Sequence, residues 1–315
     1  MKPKIMSNVL ITGASGFVGQ SLIPLLLAQG HKVYGLSRHP PEARENLIPL
    51  TGDITEENLG LTKVPGDIYA AYHLAGIHRL GEDKDGEISR TNVLGTNNVI
   101  SFCTKYKIAH LYFCSTAYTW DCNTYGLSKI RNEEAIARFA QETGARTTIF
   151  KPSIIMGTEE HPFSGHFSQF VKTVVKIHHR AELIRKNIEG TLRLPAIEPV
   201  FRIKGDPDGK LNLVSVAAVV EAMAAIKKPG TYWLTNPNPP TLGQLVDWAG
   251  EFIMVKLRFE HDFQPMPLEI IFQRLASAFS PYLQGDDFPS DIKHHPPITR
   301  EFIHETISQT LYPCH

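Results

Sequence analysis

Cysteine is scarce in this chain. The 315 residues include only four cysteines, and no two of them form a CxxC pair: Cys103, Cys114, Cys122 and Cys314. Their number and spacing exclude a disulfide-stapled scaffold and indicate reduced thiols. Two pairs of adjacent histidines, at 178–179 and 294–295, are poor metal ligands, because neighbouring side chains on a helix or strand point apart. We therefore predict no metal site.

An excess of charge of one sign and long apolar runs are also absent. The 32 Lys and Arg residues balance the 32 Asp and Glu residues, so the net charge is zero with neutral histidine. This balance argues against nucleic acid as the main partner, since phosphate backbones require a basic excess. No stretch is long and apolar enough for a signal peptide or a membrane span. We expect a cytoplasmic protein without a membrane or nucleic-acid partner.

Glycine, in contrast, is concentrated near the start. The stretch VLITGASGFVG, residues 9–19, begins as a buried parallel strand and continues into an apolar helical pattern. Its glycines, Gly13, Gly16 and Gly19, allow a tight turn, close approach of a phosphate and close packing of the helix on the sheet. The N-terminus of the helix would then bind a pyrophosphate. The stretch predicts a dinucleotide site, with a plain βα turn as the alternative.

Strands and helices alternate through the first half of the sequence. Apolar runs at 31–37, 47–50, 68–74, 111–114 and 147–150 are separated by helical patterns such as 87–106 and 127–142. This alternation predicts an α/β fold, a Rossmann-type doubly wound parallel sheet with a smaller C-terminal substrate lobe. We expect an NAD(P)-binding domain at 1–157, with elements returning from about 211–235, and mainly a substrate-binding lobe at 158–315.

The end of the second strand bears on the choice between NADP and NAD. It reads GLSR at 35–38, without the carboxylate that usually binds the ribose of NAD. Arg38 can instead bind a 2′-phosphate through its guanidinium, and Ser37 can donate a hydrogen bond. This pattern favours NADP, with NAD and a merely solvated Arg38 as alternatives. After the third strand, Asp53, followed by Ile54, either accepts from an adenine amino group or lies in an exposed turn.

Tyr125 and Lys129 are four residues apart, so on a helix both side chains lie on one face. A nearby ammonium favours the phenolate and lowers the pKa of a tyrosine. Tyr125 could then exchange a proton with a substrate oxygen near neutral pH. Thr116 directly follows Ser115 and the predicted fifth strand, where it can be a second donor to that oxygen.

These stretches resemble the extended branch of the short-chain dehydrogenase/reductase superfamily, the NAD-dependent epimerase/dehydratase-like proteins. The matching stretches stand in family order along nearly the whole chain: TGASGFVG at 12–19, HLAG at 73–76, NVLGT at 92–96, STA at 115–117, Tyr125 with Lys129, and KPSIIMG at 151–157. The resemblance implies hydride transfer at the nicotinamide. It also implies that Tyr125 is the acid/base, Thr116 holds the substrate oxygen and Lys129 binds the nicotinamide ribose. Many relatives form dimers, and the sequence does not decide whether this protein is a homodimer.

The motifs and the resemblance together give the expected cofactor-binding residues. They come from the glycine turn, the ends of the predicted strands, the long helix and its neighbour carrying Tyr125: Gly13, Ser15, Gly16, Phe17, Val18, Gly19, Ser37, Arg38, Asp53, Ile54, Leu74, Ala75, Gly76, Asn92, Lys129, Pro152 and Ser153. For Asn92, the alternative is a structural hydrogen bond between helix and strand.

Two departures from the family concern the substrate side. Only nine positions separate Thr116 from Tyr125, a shorter interval than the family usually has. Pro152 and Ser153 stand where sugar-nucleotide epimerases tend to carry Asn, and the STA run faintly resembles thioester and fatty-acyl reductases. We therefore expect an NADP-dependent reductase or dehydrogenase that acts on a small-molecule carbonyl or alcohol. The alternatives are a sugar-nucleotide epimerase or dehydratase with retained NAD, and a non-catalytic dinucleotide sensor.

Overall fold

The computed structural model describes most of the chain: residues 7–79, 82–119, 123–157, 165, 167–176, 179, 183, 200–253, 256–275, 277–283, 285 and 287–311. Contacts divide this part of the chain into two units. The first comprises the chain up to Ser153, Val216–Thr235 and Pro289–His294. The second comprises Ile154–Ser215, Asn236–Phe288 and the chain from His295 onward.

The regular elements follow one another along these residues. The strands are β1 (Asn8–Thr12), β2 (Lys32–Ser37), β3 (Leu47–Thr51), β4 (Ile68–His73), β5 (His110–Cys114), β6 (Arg146–Pro152), β7 (Ile154–Met156), β8 (Val200–Lys204), β9 (Leu213–Ser215), β10 (Gly230–Leu234) and β11 (Lys256–Glu260). The helices are α1 (Phe17–Ala28), α2 (Gly95–Lys105), α3 (Thr124–Thr143), α4 (167–176), α5 (Val216–Ala225), α6 (Leu242–Ile253), α7 (Pro267–Leu275) and α8 (Arg300–Leu311).

The first unit is built on a seven-stranded sheet in the order β10-β6-β5-β4-β1-β2-β3. All neighbouring strands in it are parallel, and Val9 of β1 lies opposite Val33 of β2 on one side and Ala70 of β4 on the other. The predicted doubly wound parallel sheet is therefore confirmed. The strand order reverses beside β1, so the carboxyl ends of β1, β2 and β4 border the crevice at which such sheets bind ligands.

Packing against both faces of this sheet holds its strands in register. Leu10 and Ile11 point to opposite faces of β1, and both are fully buried. Across neighbouring strands, the ring centres of Tyr72 and Tyr112 lie 4.2 Å apart, and those of Tyr112 and Phe150 lie 5.9 Å apart. Such pairs stabilise a fold by about 0.5–1.5 kcal/mol each beyond the burial of their area. This packing helps to fix the register of β4, β5 and β6, and with it the positions of their carboxyl ends.

The two long helices of the first unit begin differently from the prediction. The helix expected at 87–106 starts with a π-helical turn, Ser89–Leu94, and continues as α2. The helix expected at 127–142 begins earlier, at Thr124, because Asn123 Oδ1 accepts a hydrogen bond from the backbone nitrogen of Gly126 at 2.8 Å. As a result, Tyr125 and Lys129 do lie on one continuous helix.

The second unit contains two small parallel pairs, β7 with β9 and β8 with β11. No pattern in the sequence predicts the pairing of β8 with β11. Parallel partners so far apart in the sequence leave no local signal. Arg202 of β8 donates to both carboxylate oxygens of the buried Glu269 at 2.9 Å, which ties α7 to this strand. Most of residues 158–199 lie outside the described residues.

Two further observations concern the described part of the chain as a whole. No helix in it is long and apolar enough to cross a membrane. Among the same residues, no three His, Cys, Asp or Glu side chains cluster as metal ligands would. Cys103 and Cys114 are free thiols, whereas the other two cysteines and the first histidine of the 178–179 pair lie outside the described residues.

Candidate active site

The glycine turn after β1 brings separate stretches of backbone into contact. Gly13 has a φ of +74°, and a Cβ at this position would lie 2.7 Å from the backbone nitrogen of Ala75. A Cβ on Gly19 would lie 2.3 Å from the carbonyl oxygen of Gly13. Because the obstructing atoms are backbone atoms, neither position accepts a side chain without a shift of the turn.

The N-terminus of α1 opens at this turn. Gly16 is the N-cap residue and has no side chain with which to cap the helix. Ser15, Phe17 and Val18 are half-buried around it, and the carbonyl of Ser15 accepts a hydrogen bond from Gln20 Nε2 at 3.0 Å. The positive end of the helix dipole and its N–H groups suit a pyrophosphate at this position.

The ends of β2 and β3 hold the residues predicted to contact the adenosine half of the cofactor. Ser37 Oγ is buried and has no hydrogen-bond partner among the described residues. Arg38 is exposed and makes no ion pair within the same part of the chain. Asp53 Oδ1 accepts from the backbone nitrogen and the hydroxyl of Thr55, both at 2.9 Å, so one carboxylate oxygen closes a local turn. Ile54 is buried, with its side chain against the start of α2.

A chain of buried hydrogen bonds crosses the end of β4. His73 Nδ1 lies 2.8 Å from Thr12 Oγ1, and His73 Nε2 lies 3.0 Å from Thr96 Oγ1. Thr96 donates its proton to the carbonyl of Asn92 at 2.6 Å, so it accepts from Nε2–H, and Nδ1 accepts from Thr12. Burial, and then the positive charge of Lys129, lower the pKa of His73 from 6.5 to about 3. The imidazole is therefore a neutral link between β1, β4 and α2.

We expect acid to destabilise the fold through His73. Its pKa of about 3 lies below the ordinary 6.5, so the stability it contributes is complete above pH 6.5 and is lost as the pH falls toward 3. At its steepest, this loss is about 1.4 kcal/mol of unfolding free energy per pH unit. Denaturant unfolding across this pH range measures it.

His73 takes up about one proton when the protein unfolds in this pH range. His73→Gln should remove that uptake and so lower the slope of the unfolding free energy against pH. The matched control is His39→Gln, the same substitution at an exposed position. Some slope will persist in the His73 variant, because burial also lowers the pKa of His110, to about 4. Identical slopes for wild type and His73→Gln would contradict the assignment.

The loop after β4 passes between β1 and α3. The backbone nitrogens of Leu74 and Ala75 donate to the carbonyl and the hydroxyl of Thr12, at 3.2 and 3.4 Å. A Cβ on Gly76 would lie 3.8 Å from Lys129 Nζ. The stretch predicted to bind the cofactor therefore adjoins the predicted catalytic lysine.

Asn92 holds this loop in place. Its Oδ1 accepts from the backbone nitrogen of Ile77 at 2.7 Å, and its Nδ2 donates to the carbonyl of Ile77 at 2.9 Å and to Ser128 Oγ at 3.1 Å. Asn92 lies in the π-helical turn before α2, and such turns are frequent at functional sites. Among the described contacts, the side-chain amide of Asn92 thus joins the loop after β4 to α3, and not to a strand.

Lys129 is a buried cation in the candidate site. Its Nζ donates to the carbonyl of Cys114 at 2.8 Å and lies 5.7 Å from the ring centre of Tyr125. Burial lowers the pKa of Lys129, while Cys114 and Glu133 oppose that shift. The half-buried ring of Tyr125 thus lies beside an ammonium that α3 and β5 hold in place.

Thr116 lies just beyond the end of β5 and is also buried. Its Oγ1 accepts a hydrogen bond from the backbone nitrogen of Tyr118 at 3.2 Å. No described residue accepts its proton, so Thr116 can donate to a substrate oxygen. Pro152 ends β6 beside this segment, and its carbonyl accepts from the backbone nitrogen of Ala117 at 2.7 Å. Ser153 follows it and is buried.

Most of the predicted site residues lie at one edge of the sheet. The carboxyl ends of β2, β1, β4, β5 and β6 are neighbours in the parallel sheet, and they carry Ser37, Gly13, Leu74, Thr116 and Pro152 in that order. Asp53 and Ile54 follow β3 farther along the same edge. His73, Glu133 and Lys151 were not among the predicted site residues, although each stands within four residues of one.

Similarity to known proteins agrees with this geometry. The chain matches the NAD dependent epimerase/dehydratase family over residues 9–226, which is more than half of its length. The chain belongs to this family. Membership in the NAD-dependent epimerase/dehydratase family confirms the predicted resemblance to the extended short-chain dehydrogenases/reductases.

The relatives of this family member are named for different activities. A 2-alkyl-3-oxoalkanoate reductase of Stenotrophomonas maltophilia is 33% identical over 111 residues, which are 35% of this chain and 33% of that protein. A UDP-glucose 4-epimerase of Schizosaccharomyces pombe is 30% identical over 163 residues, 47% of this chain and 46% of that protein. The matches thus span about a third to a half of the length of these curated relatives.

Solved structures share the fold of this family member. The terminal R domain of the myxalamid PKS-NRPS pathway superposes with a TM-score of 0.68 at 20% identity, covering 97% of this chain and 90% of that domain. Other structures of the same fold are complexes with NAD. Sequence identities this low show the fold alone.

Proposed function

We propose that this family member is an NADP-dependent oxidoreductase that acts on a small-molecule carbonyl or the corresponding alcohol. One observation carries the proposal. Tyr125 and Lys129 share α3, with the Lys129 ammonium 5.7 Å from the Tyr125 ring centre, while Thr116 lies at the end of β5, whose last carbonyl accepts from that ammonium. This arrangement joins a proton donor, a neighbouring cation and a second hydrogen-bond donor at the ligand-binding edge of the sheet.

Each of the three side chains has a distinct role in the proposed reaction. Tyr125 donates a proton to the substrate oxygen during reduction and accepts it during oxidation. Thr116 donates a hydrogen bond to the same oxygen and polarises it. Lys129 stabilises the phenolate of Tyr125 by its charge. The nicotinamide, when bound, supplies or accepts the hydride.

The described residues fit a dinucleotide with a 2′-phosphate. The turn at Gly13 and Gly19 leaves the uncapped N-terminus of α1 accessible to a pyrophosphate. The buried Ser37 hydroxyl has no described partner, and the exposed Arg38 follows it directly. A hydroxyl and a guanidinium at the end of β2 suit a phosphate, whereas no carboxylate is present there for the ribose of NAD.

Arg38→Ala tests the preference for NADP. We expect its dissociation constant for NADPH to rise about 10- to 100-fold, because charge-assisted hydrogen bonds to the phosphate are lost. Affinity for NADH should hardly change. Calorimetric titration measures both constants, and Arg138→Ala, an exposed arginine on α3, is the matched control. Equal wild-type affinity for NADPH and NADH would overturn the proposed preference.

A sugar-nucleotide epimerase or dehydratase with retained NAD is the second candidate. Its support is the name of the Schizosaccharomyces pombe relative and the family to which the chain belongs. A reductase consumes reduced cofactor in proportion to carbonyl added, whereas an epimerase shows no net change. Absorbance of the reduced nicotinamide, followed with a carbonyl panel and with nucleotide sugars, separates them. Product formation from a nucleotide sugar without net cofactor oxidation would favour the epimerase.

We also infer that the second unit carries the substrate-binding lobe. The first unit contains every residue proposed above for cofactor binding and proton transfer. The second unit is therefore proposed to determine which small molecule is bound. Exchange of this unit between related enzymes should transfer substrate preference while leaving the affinity for cofactor unchanged.

A further inference from the structure

Glu133 connects three elements of the first unit beside the candidate active site. It lies on α3, one helical turn after Lys129, and both of its carboxylate oxygens are engaged. Oε1 accepts a short hydrogen bond from Ser115 Oγ, and Oε2 lies 3.0 Å from Lys151 Nζ. The side chains of Lys151 and Glu133 are 11% and 20% exposed, and Ser115 is 2% exposed. The carboxylate thus links α3 to the end of β5 and to β6.

Lys151 is held from several sides. Besides its ion pair with Glu133, its Nζ donates to Thr119 Oγ1 at 3.3 Å. The same ammonium lies 5.1 Å from the ring centre of Trp233 on β10. An ammonium so enclosed needs a carboxylate partner, because an unpaired charge in this position would be poorly solvated. Glu133 is that partner.

The contacts of Glu133 converge on the segment that carries Thr116. The backbone nitrogens of Ser115 and Ala117, on either side of Thr116, donate to carbonyls of β6 at 2.8 and 2.7 Å. Lys129 holds the carbonyl of Cys114, and Glu133 holds the side chain of Ser115. Two residues one turn apart on α3 therefore fix consecutive residues of this segment.

We infer that Glu133 is a positioning residue. It holds Ser115 through one carboxylate oxygen and Lys151 through the other, and so fixes the position of Thr116 relative to Tyr125. This role rests on the proposed function of Thr116 and Tyr125. Glu133 itself does not contact the reacting atoms. Its effect reaches Thr116 through the backbone of the adjacent Ser115.

The charge of Glu133 also acts on Lys129. Burial lowers the pKa of this lysine, and the carboxylate of Glu133 raises it. Among the described residues, the titratable groups that interact with the Lys129 ammonium include Cys114, Glu133 and the imidazoles of His73 and His78. Glu133 is the carboxylate among them, so it helps to keep Lys129 protonated beside Tyr125.

Glu133→Ala and Glu133→Gln separate positioning from general support of the fold. We expect Glu133→Ala to lower kcat about 10- to 100-fold, as a small displacement of a catalytic donor does. Affinity for NADPH should stay within about twofold, since the proposed contacts to the pyrophosphate and the 2′-phosphate lie at the ends of β1 and β2. Glu133→Gln keeps an acceptor for Ser115 and should recover part of the loss. Glu134→Ala, an exposed neighbour on the same helix, is the matched control.

Amide hydrogen exchange gives a readout that needs no turnover. In Glu133→Ala, the amides of 114–119 should exchange about tenfold faster or more, because a charge-assisted hydrogen bond that closes the segment is lost. Amides of β1 and α1 should keep wild-type rates. Faster exchange throughout the first unit, or an equal loss of kcat in Glu134→Ala, would overturn the positioning role.

The two proposals fail in different ways. A wild-type protein that turns over no carbonyl while binding NADPH would refute the proposed function, and the exchange rates at 114–119 would then decide the role of Glu133. Local acceleration in Glu133→Ala would support it. Unchanged protection at 114–119, or wild-type kcat in an active Glu133→Ala enzyme, would refute it.

Discussion

Tyr125→Phe is expected to lower kcat by about 10²- to 10⁴-fold, the range typical of removing a general acid. The phenyl ring preserves the packing of the first turn of α3, since only the hydroxyl is removed. Lys129 keeps its hydrogen bond to the carbonyl of Cys114, so the neighbouring segment should not move. The loss should therefore fall on the chemical step and leave the dissociation constant for NADPH unchanged.

The measurement is the rate of carbonyl-dependent oxidation of NADPH, together with calorimetric titration of the cofactor. Tyr106→Phe is a matched control, because that hydroxyl donates to Asn58 Oδ1 on an exposed surface. It should retain the wild-type rate. A Tyr125→Phe enzyme as fast as wild type would remove Tyr125 from the proposed mechanism. A loss of cofactor affinity as large as the loss of rate would assign the residue to binding instead.

Gly19→Ala is expected to destabilise the fold by about 3 kcal/mol or more, at the upper end of the usual cost of overpacking. The new methyl would lie 2.3 Å from the carbonyl oxygen of Gly13 and 3.0 Å from the backbone of Ala14. These obstructing atoms cannot rotate away, so the turn must shift. Alanine otherwise favours a helix over glycine by about 1 kcal/mol, so helix propensity predicts the opposite sign.

The same shift should weaken cofactor binding. Displacement of the turn at Gly13 moves the N-terminus of α1, and we expect the dissociation constant for NADPH to rise about tenfold or more, equal to about 1.4 kcal/mol. Denaturant unfolding and calorimetric titration measure the two effects. Gly66→Ala is the control, since nothing lies within 4 Å of a Cβ there. A Gly19→Ala protein more stable than wild type would show that the close approach is absent in solution.

The sequence was most informative where function depends on local backbone. The apolar pattern of residues 9–19 predicted a strand and a helix, and the glycines at 13, 16 and 19 predicted the tight turn between them. Each of these signals depends only on residues that are close together in the sequence. The four-residue spacing of Tyr125 and Lys129 predicted a shared helix face for the same reason. Alternation of apolar runs and helical patterns was enough to predict the doubly wound parallel sheet.

The sequence was less informative where contacts join distant elements. His73 was part of a quoted motif, yet its links to Thr12 and Thr96 depend on how β1, β4 and α2 pack. The pairing of β8 with β11 likewise depends on residues that no local pattern connects. Such contacts are decided by packing and by the need to satisfy buried polar groups, which act only in three dimensions.

The glycine turn, the strand–helix alternation and the Tyr125–Lys129 spacing were thus determined by the sequence alone, since short-range geometry fixes them. Only the tertiary structure decided which polar groups complete the site. It brought Glu133 between Ser115 and Lys151, and it buried the hydroxyl of Ser37 without a described partner beside Arg38. The physical reason is that parallel strands end at one edge of the sheet, where residues far apart in the chain become neighbours.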